Sequence, residues 1–131
     1  MSVVLNHARK LFITQQKSEL NYRLMVISSR MQRTAAQVSD LTQKKASITK
    51  AELSKLVEEG ATNLTIENVM NIASMTSDID TELTLLEIKD DEMDAEMKMI
   101  DTQLQALNAE EEEIDKAINN SIKKEFGTFS N

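Results

Sequence analysis

The second half of the chain carries a sustained seven-residue repeat of apolar positions. When Val69 is taken as position a, the a and d series run on to Ile118 and Ser121, and twelve of their sixteen residues are apolar. Apolar residues that recur at a and d over many heptads are typical of a coiled-coil seam. The pattern predicts a long helix over about residues 66–125, followed by a short tail, 126–131.

The first half carries a shorter version of the same repeat, which is clearest between Leu20 and Leu41. It predicts a helix over about residues 2–59. The residues Thr49-Lys50-Ala51-Glu52 match a capping box, which marks helix starts. The first helix therefore either continues through Thr49 or restarts there, and the pattern leaves both alternatives open.

A single strong break separates the two periodic segments, at about residues 60–65. Gly60 suits the left-handed backbone position just after a helix end. Thr62, Asn63 or Thr65 can cap the start of the next helix. The sequence thus predicts an all-α fold in which residues 1–131 form one long antiparallel two-helix coiled-coil hairpin.

Polar positions within the repeat select the register of this hairpin. If the chain turns back at residue 62, neighbouring residues on the two helices have numbers that add up to about 124. Thr34 then lies level with Asp90, and these are the polar d position and the polar a position of the central stretch. A slip by one heptad would place Asp90 against Ile27 or Leu41, and burying an unpartnered carboxylate costs a few kcal/mol or more. Thr34 and Asp90 form the predicted register layer.

The other central layers of this register are apolar on both helices. The seam residues are Leu20, Leu24, Ile27, Met31, Val38, Leu41, Leu83, Leu86, Met93, Met97, Ile100 and Leu104. Towards the chain termini, Lys17 and Glu111 lie one layer apart, so the register also predicts an ion pair between them.

The composition agrees with long helices and offers little catalytic chemistry. The 131 residues include no Pro, Cys or Trp, and aromatic residues make up 3%. His7 is the only histidine, and no glycine-rich phosphate loop or nucleophile–base pairing is present. We expect no enzyme activity, no catalytic, cofactor or metal site, and no small-molecule substrate.

Charge divides sharply along this acidic chain, whose net charge is −7. Residues 1–50 carry a net +7 and residues 51–131 a net −14, so the two helices attract each other when they lie side by side. A nucleic-acid-binding surface along Arg23, Arg30 and Arg33 is a weak alternative. A membrane-surface role for the apolar residues 2–16 is another. The expected partner is nevertheless a protein, not a nucleic acid.

No segment has the length and hydropathy of a membrane span, and charged residues interrupt any signal-peptide core near the start of the chain. The expected location is cytoplasmic by default. Signal-less export to the cell surface remains open.

Apolar residues also occupy positions away from the seam. A helix that is apolar on two sides usually packs on two sides. The predicted hairpin also brings the two ends of the chain together at one tip, where all three Phe residues gather. The predicted assembly surface comprises Val3, Val4, Leu5, Phe12, Leu85, Ile88, Met99, Ile122, Phe126 and Phe129.

These features favour a structural, self-assembling coiled-coil subunit of a helical filament or bundle, with its terminal helices paired at the assembly tip. In architecture alone, such a hairpin resembles the needle and filament subunits of type III secretion and flagellar systems, although no motif here is specific to them. The alternative is an adaptor or export-chaperone-like module that binds a partner protein. An open, domain-swapped dimer is a further possibility.

Overall fold

Two long helices account for almost all of the structure. The computed structural model describes residues 3–60 and 62–129, with side chains described as far as residue 125. Helix α1 spans Val3–Glu58 and helix α2 spans Ile66–Phe129. No strand occurs in these ranges, and the two helices pack against each other. The predicted all-α helical hairpin is therefore confirmed.

Helix α1 continues through Thr49 without a break. The Thr49 hydroxyl donates a hydrogen bond to the carbonyl oxygen of Lys45, at 2.9 Å. A threonine hydroxyl that donates to the carbonyl four residues earlier is in a helix interior, whereas the hydroxyl of a capping residue accepts from an amide of the following turn. Of the two alternatives that the capping box leaves open, the structure shows the uninterrupted helix.

The end of α1 is formed by backbone hydrogen bonds and by Gly60. The Glu59 amide donates to the carbonyl of Lys55, and the Gly60 amide donates to that of Val57, both at 3.0 Å. Gly60 has a φ of +82°, in the left-handed region that glycine adopts without steric cost. The predicted left-handed residue after the helix end is thus present at Gly60.

Thr65 caps the start of α2. The Asn68 amide donates to the Thr65 hydroxyl oxygen at 3.1 Å, and the Val69 amide donates to the Thr65 carbonyl, also at 3.1 Å. Glu67 lies in the first turn, where a negative charge interacts favourably with the helix dipole. Of the three capping residues that the sequence allows, Thr65 is therefore the one that the fold uses.

Helix α2 extends to Phe129, beyond its predicted end at residue 125. The predicted tail, 126–131, is thus largely helical, and Ser130 and Asn131 lie outside the described residues. Glycine lowers helix stability by only about 1 kcal/mol relative to Ala, so Gly127 alone does not end the helix. No Pro follows it.

The chain divides into two compact units, and each contains a part of both helices. The terminal unit comprises the residues up to Ser28 and from Asp94 onward, whereas the bend unit is Ser29–Met93. Neither helix, within the described residues, is long and apolar enough to cross a membrane.

Candidate assembly surfaces

Burial in the terminal unit follows the heptad repeat of α1. The buried residues Asn6, Ile13, Leu20 and Ile27 are each seven positions apart. Ile13 is 2% exposed and packs with Ile114, Ile118 and Leu107 of α2 into an apolar cluster. These d positions of α1 therefore face α2, as the d positions of a coiled-coil seam do.

The structure places the twelve predicted seam residues at buried or half-buried positions. Those that are buried are Leu20, Ile27, Met93 and Ile100. Those that are half-buried are Leu24, Met31, Val38, Leu41, Leu83, Leu86, Met97 and Leu104. In each of the two units, the predicted seam residues of both helices thus lie at positions of reduced solvent exposure.

The polar register layer lies within the bend unit. Thr34 is 2% exposed and Asp90 is half-buried, and both line one groove together with Val38 and Leu86. The structure therefore places Thr34 and Asp90 on the same groove of the bend unit. Because Asp90 keeps part of its surface in water, the desolvation cost of its carboxylate is reduced.

Ion pairs between the helices show the same register in both units. Lys45 Nζ lies 2.6 Å from Asp80 Oδ1 in the bend unit, and Lys10 Nζ lies 2.7 Å from Asp115 Oδ1 in the terminal unit. In each of these two pairs the residue numbers add up to 125, whereas Arg9–Glu110 gives 119 and Lys17–Glu111 gives 128, so the four pairs lie around the predicted value of 124.

A basic edge of α1 meets an acidic edge of α2 in the terminal unit. Lys17 Nζ lies 3.3 Å from Glu111 Oε2, the pair that the register predicts, and Arg9 binds Glu110 at 3.6 Å. The hydrogen bond from Lys10 to Asp115 and the negative charge of that carboxylate raise the pKa of Lys10. Some of the opposite charges of the two halves thus form ion pairs with each other within the chain.

Sequence reasoning missed three features of the seam. Asn6 is buried one heptad before Ile13, and the seven-residue spacing is the signal that could have identified it. Thr76 is also buried, and its hydroxyl donates to the carbonyl of Ile72 at 3.1 Å, which satisfies it inside the seam. Val69, the first a position, is about half exposed and lies outside the seam.

Most of the predicted assembly surface in the terminal unit is open to solvent. Val4, Leu5 and Phe12 on α1 are exposed, as are Met99 and Ile122 on α2. Val3, in contrast, is half-buried. The side chains of Phe126 and Phe129 lie outside the described residues, so the predicted gathering of the three Phe residues is not described.

The bend unit exposes apolar residues of its own. Leu85 and Ile88, both predicted for the assembly surface, are exposed on α2. A second group lies on both sides of the break between the helices in the sequence and was missed by sequence reasoning. The bend patch comprises Val57, Leu64, Ile66, Val69, Met70 and Met75.

Among the residues whose side chains are described, no group of three or more His, Cys, Asp or Glu residues is arranged to hold a metal ion. The acidic run from Glu110 to Asp115 instead supplies the carboxylates that pair with α1.

The fold and its surfaces define the class of protein as an all-α helical hairpin with extensive exposed apolar positions. No protein-family model, curated protein or solved structure matches the chain. Function is therefore inferred from the surfaces of the chain itself.

Proposed function

We propose that the chain is a structural subunit that assembles with further copies of itself into a bundle or filament. The observation that carries this proposal is the exposure of large apolar side chains on helix positions outside the seam. Leu11, Phe12 and Tyr22 on α1 and Leu85 and Met99 on α2 are all more than half exposed.

The energetics of these side chains favour association. Burying one large apolar side chain contributes roughly 1.5–3 kcal/mol, so a handful of them in one contact offsets the entropic cost of bringing two molecules together. Contiguous apolar patches on a protein surface usually mark interaction sites. Exposed apolar residues in both units suggest more than one contact for each copy, as a bundle or filament requires.

The ion pairs within the chain support the same proposal. Arg9, Lys10 and Lys17 are matched with carboxylates of α2, so these three cations are balanced locally and do not repel α1 of a neighbouring copy, while the net charge of the chain stays at −7. Self-association of a helix with unpaired positive charges would be opposed by like-charge repulsion.

A second candidate function is a binding module for a different protein, and the bend patch favours it. Leu64 and Ile66 expose apolar surface next to the capped start of α2. A compact apolar patch at one place suits recognition of a partner better than repeated contacts along a helix. Such a module would remain a monomer or dimer by itself.

Sedimentation of the purified chain over a thousandfold range of concentration distinguishes the two functions. We expect the mass to rise with concentration to species larger than a dimer, and electron microscopy to show regular particles or fibres. A mass that stays at that of a monomer over the whole range would rule out self-assembly. The partner would then be sought with the bend patch, and a Leu64→Asp/Ile66→Asp variant would serve as the control.

A further inference from the structure

The side of α1 that faces away from the seam carries a second heptad stripe in the terminal unit. Its positions follow one another at alternating steps of four and three residues, which is the spacing of a coiled-coil contact. The outer stripe consists of Val4, Ala8, Leu11, Gln15, Ser18, Tyr22 and Met25, all of them exposed. Its four large members are Val4 at 78%, Leu11 at 63%, Tyr22 at 66% and Met25 at 71% exposure.

The outer stripe itself contains no charged residue, although α1 is a basic helix. The lysines Lys10 and Lys17 project towards α2 and pair with Asp115 and Glu111. Two copies of α1 could therefore approach along this stripe without bringing rows of positive charge together. Unlike the seam, the stripe has no acidic helix to match it, so its chemistry suits a neutral and equally apolar surface.

We propose that the outer stripe docks against the same stripe of a second copy, with the two α1 helices antiparallel about a two-fold axis. This inference rests on the proposed self-assembly and identifies one of its contacts. A two-fold axis brings the same surface patch of both copies together, so the stripe must be complementary to itself.

In one antiparallel register, apolar positions of the stripe lie against apolar positions of the second copy, and the polar positions lie against polar positions. In this register Leu11 lies level with Tyr22 of the second copy, Ala8 lies level with its Met25, and Gln15 lies level with its Ser18. Each pairing occurs twice, so apolar layers flank a central polar layer in which an amide and a hydroxyl can exchange a hydrogen bond.

A slip by one heptad destroys this match. In one direction Gln15 lies against Leu11 of the second copy, and in the other direction it lies against Met25 of the second copy. A buried amide without a hydrogen-bond partner is unfavourable, so the central Gln15–Ser18 layer specifies the register.

Charge substitutions at one layer test the contact. Leu11→Glu alone and Tyr22→Lys alone are each expected to weaken association at least about tenfold. In either case each copy contributes one charge, so two layers of the contact place a charge against an apolar side chain. A mixture of the two variants should regain association, since one layer then pairs Glu with Lys and the other remains Leu with Tyr. Thr102→Glu, at an exposed position on α2 outside the seam and the predicted assembly surface, is the matched control and should leave association unchanged.

Cysteine cross-linking tests the register, because the natural chain has no cysteine. Mixed Gln15→Cys and Ser18→Cys variants should form a disulfide between copies in higher yield than Gln15→Cys mixed with Asn119→Cys on α2. If the chain assembles but neither the rescue nor this disulfide occurs, the outer-stripe contact is wrong and the proposed assembly stands. A natural chain that stays monomeric at every concentration would overturn both, and circular dichroism establishes that each variant remains helical.

Discussion

The amino group of Lys10 lies 2.7 Å from a carboxylate oxygen of Asp115, a residue 105 positions further along the chain. This pair joins the first turns of α1 to the last third of α2 at a position open to solvent. Because the two residues are so distant in sequence, the interaction exists only when the chain has folded back on itself. It therefore reports on the folded terminal unit.

The Lys10–Asp115 interaction should weaken in strong alkali. The hydrogen bond and the negative charge of Asp115 raise the pKa of Lys10 above its ordinary value of 10.5. A raised folded-state pKa stabilises the fold fully below the unfolded-state pKa, and this contribution is lost as the pH rises through the folded-state pKa. A double-mutant cycle with Lys10→Met and Asp115→Asn should therefore show a favourable coupling at pH 8 that declines as the pH rises above 10.5. A coupling that grows with pH would contradict the assignment.

Replacing the Lys17–Glu111 pair by two leucines should stabilise the fold. Both side chains occupy a positions of the seam and are only about a quarter exposed. Partly buried ion pairs recover little of their desolvation cost, and apolar replacements commonly raise the free energy of unfolding by about 1–3 kcal/mol. Lys17→Leu alone should stabilise less, because Glu111 then loses its cation. Urea denaturation of the two variants measures the difference, and a double variant that is less stable than the natural chain would argue against this reasoning.

Truncation of Ile13 should strongly destabilise the terminal unit. Its side chain is buried against Ile114 and Ile118, so Ile13→Ala leaves a cavity and is expected to cost about 2–5 kcal/mol. Met99→Ala removes a comparable side chain from an exposed position and should change stability by less than about 0.5 kcal/mol. Equal effects of the two variants in thermal denaturation would show that the cluster is not a core.

Making the Thr34–Asp90 layer apolar should loosen the register while raising stability. Thr34→Leu/Asp90→Leu removes the polar layer, so one-heptad slips no longer bury a carboxylate against an alkyl chain. Cysteines introduced at Met31 and Met93 should cross-link efficiently in the natural background and less efficiently in the double-leucine background. An undiminished disulfide yield would mean that other layers determine the register.

Substitution of Gly60 should act through the backbone alone. An added Cβ would meet no atom within 4 Å, but the φ of +82° is unfavourable for alanine. Gly60→Ala is expected to cost about 1 kcal/mol. Gly60→Asn should cost less, because Asn tolerates the left-handed region better than other residues. Chemical denaturation measures both, and an Ala variant as stable as the natural chain would indicate a different backbone conformation at the bend.

The register was accessible from sequence because two independent signals agreed on it. Gly60 located the turn, and the coincidence of Thr34 with Asp90 selected one alignment of the two repeats. The residues at which the helices begin and end were harder to predict from the sequence. The capping-box pattern at Thr49 and the glycine at position 127 are local signals, and each is weaker than the combined propensity and packing of the residues around it.

The apolar repeat by itself determined that the chain forms two long helices and which stripe of each helix becomes the seam. A spacing of three and four residues leaves no other way to remove those side chains from water. Only the tertiary structure decided that Thr76 is buried while Val69 is exposed, and that Arg9 pairs with Glu110. Burial and ion pairing depend on which residues of the opposite helix lie next to each position. The pattern of residues along one segment of the sequence does not contain that information.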